Sequence, residues 1–489
     1  MNYRVLAVTG YRLSRHIDKT TKNDRKLYIS MIIKNRIKSK ISPILRTSLL
    51  AFFILSCAHS SNAYREIDNA VSRDNFTHAV DVVVRGQRRA NAIYSERNAI
   101  MLFLDKGLLE HYAKNYAASG EDLQNAERLI EEAYTKSVSE DFLSYIINDN
   151  TKAYPGEDFE NIYLNVFNAL NYYNRGNIEG ALVEIRKLSN TSGKLDMLAR
   201  RYEYTDPRTG ESLNTRVRRE TGVSEMPQIV SVNFSNSALA RYLGALFYQG
   251  EGNTDAARIE FEQLQNAFST NRKIYYYRMP GAAEDARDIP QGLARLNIIS
   301  FTGLSPIKEE QMVLHYLPFN HPILRVASFR LPVLVKRPSR ITRIEAVVAG
   351  EGSFQLELLE DMGKVIEETF AARYSSILLK TYIRTIIKYA VADIAAAVAT
   401  ESSNEYGELR GLMTAVAARL AMDASESADI RMSRYLPDKA YIGGINLENG
   451  VYSVIINYYS GNTVISSVEY TDVTVESGRL NLLESVNLR

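Results

Sequence analysis

Two stretches of the chain carry the same pattern of apolar positions and align with each other without a gap. They run from Tyr163 to Leu188 and from Leu239 to Leu264. In each, apolar residues recur every three or four positions, stop at a Gly-Asn pair and then resume, which is the pattern of two amphipathic helices joined by a tight turn. The equivalent positions are Ala169-Leu170 and Ala245-Leu246, Tyr172 and Tyr248, Gly176-Asn177 and Gly252-Asn253, Ala181 and Ala257, and Leu188 and Leu264. The pattern predicts an internal helix-turn-helix repeat.

Neither copy can bury its apolar faces alone, so we expect a stack of several helix pairs. Two weaker copies precede the clear ones, with turns at Asp74-Asn75 and Lys114-Asn115. The small side chains of Ala181 and Ala257 fall where the two helices of a pair would approach most closely. The sequence therefore predicts a helical repeat domain over residues 62–278.

After Arg278 the apolar pattern changes to that of strands, and Asn449-Gly450 and Gly461-Asn462 indicate antiparallel hairpins. The predicted strands are Leu296–Phe301, Met312–Tyr316, Leu324–Val335, Ile341–Val348, Ala440–Ile445, Val451–Tyr458, Thr463–Tyr470 and Val473–Val475. The fold class expected is α+β multidomain, with an N-terminal helical repeat array and a C-terminal antiparallel β-sandwich over residues 290–489.

Helical periodicity interrupts the strands from Leu358 to Ala399 and from Tyr406 to Met422, which predicts a helical insertion at about residues 356–423. Residues 386–398 are apolar enough to suggest a membrane segment. Charged residues interrupt this stretch too often for a membrane span, and the interpretation favoured is a buried helical hairpin. These residues are Lys380, Arg384, Lys388 and Asp393.

The N-terminus has the pattern of a signal peptide, assigned to residues 1–57. A polar, basic leader precedes a short apolar run, Thr47–Leu55, and then Cys57, which is the only cysteine of the chain. The run is too short to span a bilayer. Two alternatives stay open: Cys57 is incidental to cleavage by the ordinary signal peptidase, and translation begins at Met31, which would give a leader of ordinary length.

Ile54-Leu55-Ser56-Cys57 resembles a bacterial lipobox, although Leu is commoner where Ile54 stands. The resemblance implies acylation of Cys57, for example with palmitate, and several acyl chains anchor a protein without a transmembrane helix. Ala58 follows, and by resemblance to lipoprotein sorting the lack of Asp there favours the outer membrane. We expect a lipoprotein on the periplasmic face of the bacterial cell envelope.

Several short motifs are spread over most of the chain: Tyr154 through Phe159-Glu160, Ala169-Leu170-Asn171-Tyr172, Ala181-Leu182-Val183-Glu184, Gly303-Leu304-Ser305-Pro306-Ile307-Lys308, Leu331-Pro332, Glu360-Asp361-Met362, Ala428-Asp429-Ile430-Arg431 and Leu436-Pro437. Together they resemble an uncharacterised family of bacterial envelope lipoproteins with tetratricopeptide (TPR)-like repeats. The resemblance implies envelope location and repeat architecture. It also implies a gene encoded near those of lipoproteins that activate penicillin-binding proteins. The repeats depart from the tetratricopeptide consensus where Asn165 and Asn168, and then Arg241 and Gly244, replace large apolar residues.

Composition argues against nucleic acid as a partner, because 59 Lys and Arg face 57 Asp and Glu and the formal net charge is only +2. The Arg-rich stretch Ser189–Asn236 also carries acidic residues, so a solvated loop is favoured over a phosphate or acidic-partner site. His315 and His321 match no metal-binding spacing. No metal and no cofactor is predicted.

The chain lacks the motifs of the common hydrolases. Neither Gly-x-Ser-x-Gly nor His-Glu-x-x-His occurs, and Gly350-Glu351-Gly352 and Gly443-Gly444 are interpreted as turn glycines. Glu360-Asp361 could serve a hydrolase, but a solvated helix face is favoured. We predict no catalytic residues and no enzymatic activity.

A polar stripe is predicted on the first helix of the third unit. Asn161, Asn165, Asn168 and Tyr172 recur at spacings of four, three and four, and Ser237, Arg241, Gly244 and Tyr248 are their counterparts one repeat later. Asn is a poor helix former, and its amide suits an extended peptide backbone, so a partner-binding site is assigned to Asn161, Asn165, Asn168, Tyr172, Arg241 and Tyr248. The alternative favoured is a stripe that faces solvent or is satisfied by the neighbouring helix.

Two functions follow from these patterns. The first is a lipid-anchored scaffold or adaptor that binds an envelope protein or peptide through its helical repeats, in cell-envelope assembly. The second is a peptidoglycan- or glycan-binding factor that activates a cell-wall synthase. The chain has no Trp to stack on sugar, although 31 Tyr leave aromatic contact open.

Overall fold

The described part of the chain comprises residues 59–87, 94–137, 153–188, 236–316, 326–400 and 407–489 of a computed structural model. Residues 66–489 form one compact unit. The leader with Cys57 and most of the Arg-rich stretch lie outside the described residues. Helices and mostly antiparallel strands make this an α+β protein, as predicted.

Nine helices precede the first strand in the described residues. They are α1 (His59–Val71), α2 (Phe76–Gly86), α3 (Ala99–Tyr112), α4 (Tyr116–Ser137), α5 (Asp158–Asn174), α6 (residues 178–188), α7 (Ala238–Gly250), α8 (Thr254–Thr270) and the short α9 (Gly281–Asp285). Helix α3 packs on α4, α4 packs on α5, and α7 packs on α8. Helix α6 also meets α5, where Gly180 lies against the ring of Tyr172, so both predicted helix pairs, α5 with α6 and α7 with α8, are present.

The turns within the four helix pairs α1–α2, α3–α4, α5–α6 and α7–α8 share one local structure. A residue with positive φ is followed by Asn, and the positive φ values belong to Asp74 (55°), Lys114 (65°), Gly176 (74°) and Gly252 (72°). At three turns the Asn side chain accepts a hydrogen bond from a backbone N–H of the next helix: Asn75 from His78, Asn177 from Gly180 and Asn253 from Ala256. The residue four positions after each Asn is small and buried: Ala79, Ser119, Ala181 and Ala257.

Two sheets follow. Their strands are β1 (Ala294–Tyr316), β2 (Val326–Arg337), β3 (Arg343–Val348), β4 (Gly352–Gln355), β5 (Glu357–Asp361), β6 (Pro437–Leu447), β7 (Gly450–Ser460), β8 (Thr463–Val475) and β9 (Asn481–Asn487). One sheet has the order β2-β1-β6-β5, with β9 also on β1, and the other has the order β4-β3-β7-β8. One hydrophobic core joins them, because Ile298 of β1, Ile344 of β3 and Ile456 of β7 belong to a single buried cluster.

The two strands predicted at Leu296–Phe301 and Met312–Tyr316 are the ends of one strand, β1. The register with β2 shifts between Leu304 and Ile307, next to Gly303 with a φ of 63°. Pro306 lies within this β-bulge, where its lack of a backbone N–H costs no ladder hydrogen bond. Gly443 and Gly444 were wrongly assigned to a turn, since both lie inside β6.

The prediction of a wholly antiparallel β-structure is wrong at one strand. β9 pairs with β1 in parallel, from Leu296 with Asn481 to Thr302 with Asn487. Local hairpin signals cannot reveal such a pairing, because it joins strands that are distant in sequence.

The helical insertion consists of α10 (Met362–Thr400) and α11 (Gly407–Ser425), which pack on each other. It begins later than predicted because Glu357–Asp361 form β5. One face of α10 packs on β2, and Tyr389 and Ala396 belong to the same buried cluster as Phe329. The prediction of a buried hairpin is wrong for the opposite face, which is exposed at Val391 and Ile394.

Among the residues described, no helix has an apolar stretch long enough to cross a membrane.

Candidate partner-binding site

The predicted polar stripe on α5 lies against the neighbouring helix α4 at Asn168 and Tyr172. Asn165 and Asn168 are buried, whereas Asn161 and Tyr172 are partly exposed. Asn165 donates from Nδ2 to the carbonyl of Asn161, at 2.8 Å within the same helix. The stripe is therefore not a solvent-facing surface, and what it offers to a ligand depends on the space between α4 and α5.

The counterparts on α7 are held by internal contacts. Ser237 accepts from the N–H of Ala240 and so caps α7. Arg241 pairs with Glu260 at 3.1 Å, and the hydroxyl of Tyr248 accepts from Arg186 at 3.1 Å. Arg241 and Tyr248 are therefore engaged in contacts within the helix stack. They do not form a common binding site with the stripe on α5.

A polar cleft opens between α4 and α5 at the end of the stripe, with a volume of about 70 Å³. Its lining residues are Ala117, Gly120, Glu121, Gln124, Asn168, Asn171, Tyr172 and Arg175. Buried Gly120, Asn168 and Asn171 form the floor, and exposed Glu121, Gln124 and Arg175 form the rim. Gln124 donates from Nε2 to the Tyr172 hydroxyl at 2.8 Å, which ties the two helices together at the edge of the cleft.

The floor carries an unused acceptor. Asn168 is fully buried, and its Oδ1 accepts no hydrogen bond from the described residues. A Cβ atom at Gly120 would lie 3.4 Å from this oxygen, so glycine allows the backbone of α4 to approach it closely. The Asn168 side chain also lies beside Glu184, where it opposes the rise in pKa that burial of this carboxyl causes. A buried acceptor without a donor is unfavourable, and a bound donor group would remove the penalty.

A buried histidine lies behind the floor. His111 Nδ1 is 2.7 Å from Asn171 Oδ1, and Nε2 is 2.6 Å from Glu484 Oε1. Burial alone lowers the pKa of His111, but the Glu484 charge and the two hydrogen bonds outweigh it and raise the pKa. Both neighbours are acceptors, so the doubly protonated ring satisfies both. Asn171 in turn donates to Ser119 at 2.8 Å, and the network holds the floor rigid.

Sequence reasoning missed His111 and Glu484. They are 373 positions apart, on α3 and β9, and no local pattern links them. His111 has both ring nitrogens engaged and is 2% exposed, so it has no free position from which to act on a substrate. The network positions Asn171, and through it the cleft.

The interpretation of Glu360-Asp361 as a solvated helix face is wrong. Glu360 lies near the end of β5, is fully buried, and accepts hydrogen bonds from Tyr163, Ser237, Tyr275 and the N–H of Leu239. Asp361 accepts from the N–H of Lys364 at 2.8 Å and caps α10. Both carboxylates are therefore structural, one joining the sheet to the helix pairs and the other starting a helix.

Within the described residues, no group of three or more His, Cys, Asp or Glu side chains is arranged to hold a metal ion. His315 lies on β1, and His321 lies outside the described residues. Gly350 lies in the predicted turn between β3 and β4, and Gly352 is the first residue of β4; their φ values are 83° and 130°.

No protein-family profile, curated protein or solved structure matches this chain.

Proposed function

We propose that this protein is a lipid-anchored scaffold of the bacterial cell envelope that binds an extended segment of a partner protein at the α4–α5 cleft. The observation that carries the proposal is the unused Oδ1 of Asn168 on the floor of an open cleft. A peptide N–H is a donor of the right kind, and a neutral amide recognises a backbone without requiring a charged side chain.

The size of the cleft favours this function over that of an enzyme. A volume of about 70 Å³ admits one amide or one side-chain tip, whereas pockets for small molecules are commonly about 300–1,000 Å³. Only one group of a ligand therefore fits into the cleft, and the rest of the ligand lies across the rim. Glu121 and Arg175 on the rim have opposite charges and suit a polar peptide segment.

The architecture proposed is a TPR-like repeat array followed by a β-sandwich. The four turns of like structure, each with a small buried residue four positions after its Asn, support the repeat array. The core cluster shared by both sheets supports the sandwich. The sequence around Cys57 supports the proposed lipid anchor. It also supports the proposed location on the periplasmic face of the outer membrane.

Site-specific photo-crosslinking in cells tests the proposed cleft. A photoreactive amino acid at Gln124, on the rim, should form a crosslinked product with one partner protein, and the same residue at exposed Asp255 on α8 should not. Asn168→Ala removes the acceptor and should reduce the product at least about tenfold. Asn266→Ala, an exposed Asn on α8, is the matched control and should leave it unchanged.

Stability separates recognition from packing. If the double variant Asn165→Ala, Asn168→Ala has a lower melting temperature but still binds the partner, the stripe serves packing within the helix stack. Retention of both binding and stability would place the docking site elsewhere. A pulldown on purified sacculi, compared with one on membrane extract, tests the glycan alternative, and binding to sacculi alone would replace the scaffold proposal.

A further inference from the structure

Four glycines lie inside helices of the described repeat array. Glycine is unfavourable within a helix, so each of these positions needs a reason for having no side chain. At three of them the reason is close packing, because a Cβ atom would lie too near a neighbouring side chain. The distances are 2.7 Å from Gly107 to Leu123 Cδ2, 2.6 Å from Gly180 to Tyr172 Cδ1 and 3.0 Å from Gly244 to Ile185 Cγ2.

Gly120 on α4 differs from the other three. Among the described residues, a Cβ atom there would contact a single atom outside its own helix, the Oδ1 of Asn168, at 3.4 Å. This is close to an ordinary van der Waals distance, so alanine would fit with little or no movement. Gly120 is also not among the glycines with positive φ. Neither packing nor backbone conformation therefore requires glycine at this position.

The corresponding place one repeat later is closed. Gly244 on α7 is the counterpart of Asn168, and it packs against Ile185 of α6. An apolar side chain thus reaches the counterpart of Asn168, whereas Asn168 itself lies against Gly120 and lines the cleft. The opening at α4–α5 is therefore not a general consequence of the repeat.

A side chain at Gly120 would change what the cleft can bind. Gly120 and Asn168 both line it, and its volume is about 70 Å³. A methyl group would occupy part of this volume beside the Asn168 oxygen. An N–H donor must come to within about 2.9 Å of an acceptor to form a good hydrogen bond. The methyl group cannot donate, and it would obstruct the approach of a group that can.

We propose that Gly120 is the specificity-determining residue of the cleft, because the missing side chain lets an N–H group of the partner segment reach Asn168 Oδ1. This inference rests on the proposed binding of a partner at the α4–α5 cleft. Alanine would favour the helical conformation of α4 and close the cleft. Stability and binding should therefore change in opposite directions at this position, which a glycine needed for packing would not show.

Gly120→Ala tests the inference in the crosslinking experiment with the photoreactive residue at Gln124. The crosslinked product should fall at least about tenfold. The melting temperature of the purified full chain carrying Cys57→Ser should stay unchanged or rise by up to about 2 °C when Gly120→Ala is added.

Two glycines of the array provide matched controls. Gly86→Ala, at the last residue of α2, places a Cβ atom where no atom lies within 4 Å and should leave the amount of product unchanged. Gly107→Ala places one against Leu123 and should lower the melting temperature by at least about 2 °C, as expected where glycine serves packing.

An unchanged product in Gly120→Ala, with the product reduced in Asn168→Ala, would overturn the role of Gly120 and leave the proposed binding site intact. A melting temperature lowered by Gly120→Ala as much as by Gly107→Ala would assign Gly120 to packing and would also overturn the inference. If the parent forms no product, or if Asn168→Ala does not reduce it, the proposed function fails and the role of Gly120 fails with it.

Discussion

The hydroxyl of Tyr163 on α5 donates a hydrogen bond to Glu360 on β5, across 197 positions of sequence. The same carboxylate accepts from Ser237 and from the N–H of Leu239 at the start of α7. Burial raises the pKa of Glu360, and the four donors around it oppose the rise. One side chain of the sheet thus holds α5 and α7 together.

Glu360→Ala should lower the free energy of unfolding by about 3 kcal/mol or more, because it leaves several buried donors without an acceptor. Urea unfolding measures the loss. Gln355→Ala, exposed on the neighbouring strand β4, should change it by less than about 0.5 kcal/mol. Equal effects of the two substitutions would contradict the structural role of Glu360.

Ala181→Leu and Ala257→Leu should each lower the free energy of unfolding by about 1–3 kcal/mol, since a larger side chain overpacks the contact between paired helices. Both alanines are buried at equivalent positions after their turns. Thermal unfolding measures the effect, and Ala371→Leu, on the exposed side of α10, is the control. Unchanged melting temperatures for both buried variants would refute the close approach.

Glu160 on α5 predicts a dependence of stability on pH. Burial, and then the charge of Glu157, raise the pKa of Glu160 to about 7, although Ser433 and Tyr154 donate hydrogen bonds to it. Below about pH 4.5 the carboxyl is protonated in both states. As the pH rises towards 7, the unfolded chain loses the proton while the folded chain keeps it, so the folded state loses stability.

The contribution of Glu160 to the free energy of unfolding should fall by about 3 kcal/mol between pH 4.5 and 7.5. Urea unfolding at pH 4.5 and pH 7.5 measures the fall. Glu160→Gln cannot titrate and should flatten the dependence in this interval. A variant with the same pH dependence as the parent would show that other groups cause it.

Cys57→Ser should leave the fold intact and move the protein out of the membrane fraction, because acyl chains on Cys57 are the apolar anchor that the sequence predicts. Fractionation of cells after a high-salt wash measures the change, with circular dichroism as the check on folding. A serine variant that still pellets with membranes would exclude Cys57 as the anchor.

The α4–α5 cleft was only partly predictable. Asn165, Asn168 and Tyr172 were identified from spacing, because residues three and four apart share one side of a helix. Which neighbour that side meets depends on α4, whose degenerate repeat carries Gly120 and Gln124 at the contact. The unused oxygen of Asn168 arises from that contact and has no local signature.

The α10–α11 hairpin is a second feature that was only partly predictable. Its helices were predicted from periodicity, but apolar residues surround α10 on all sides near Ile394, and periodicity alone does not distinguish a helix buried all around from one with an exposed apolar side. Packing on β2 covers only the side with Ala396. Which side of α10 is exposed therefore depends on which other elements pack against this helix.

By itself the sequence determined the helix pairs, their turns and most strands, because these depend on contacts within a few residues: a positive φ at Gly176 or Gly252, an Asn cap, and a regular apolar period. Tertiary structure decided the parallel pairing of β9, the burial of Glu360, the pairing of His111 with Glu484 and the exposure of Val391 and Ile394 on α10. Each of these joins groups that are far apart in sequence, and only the folded chain sets the distance between them.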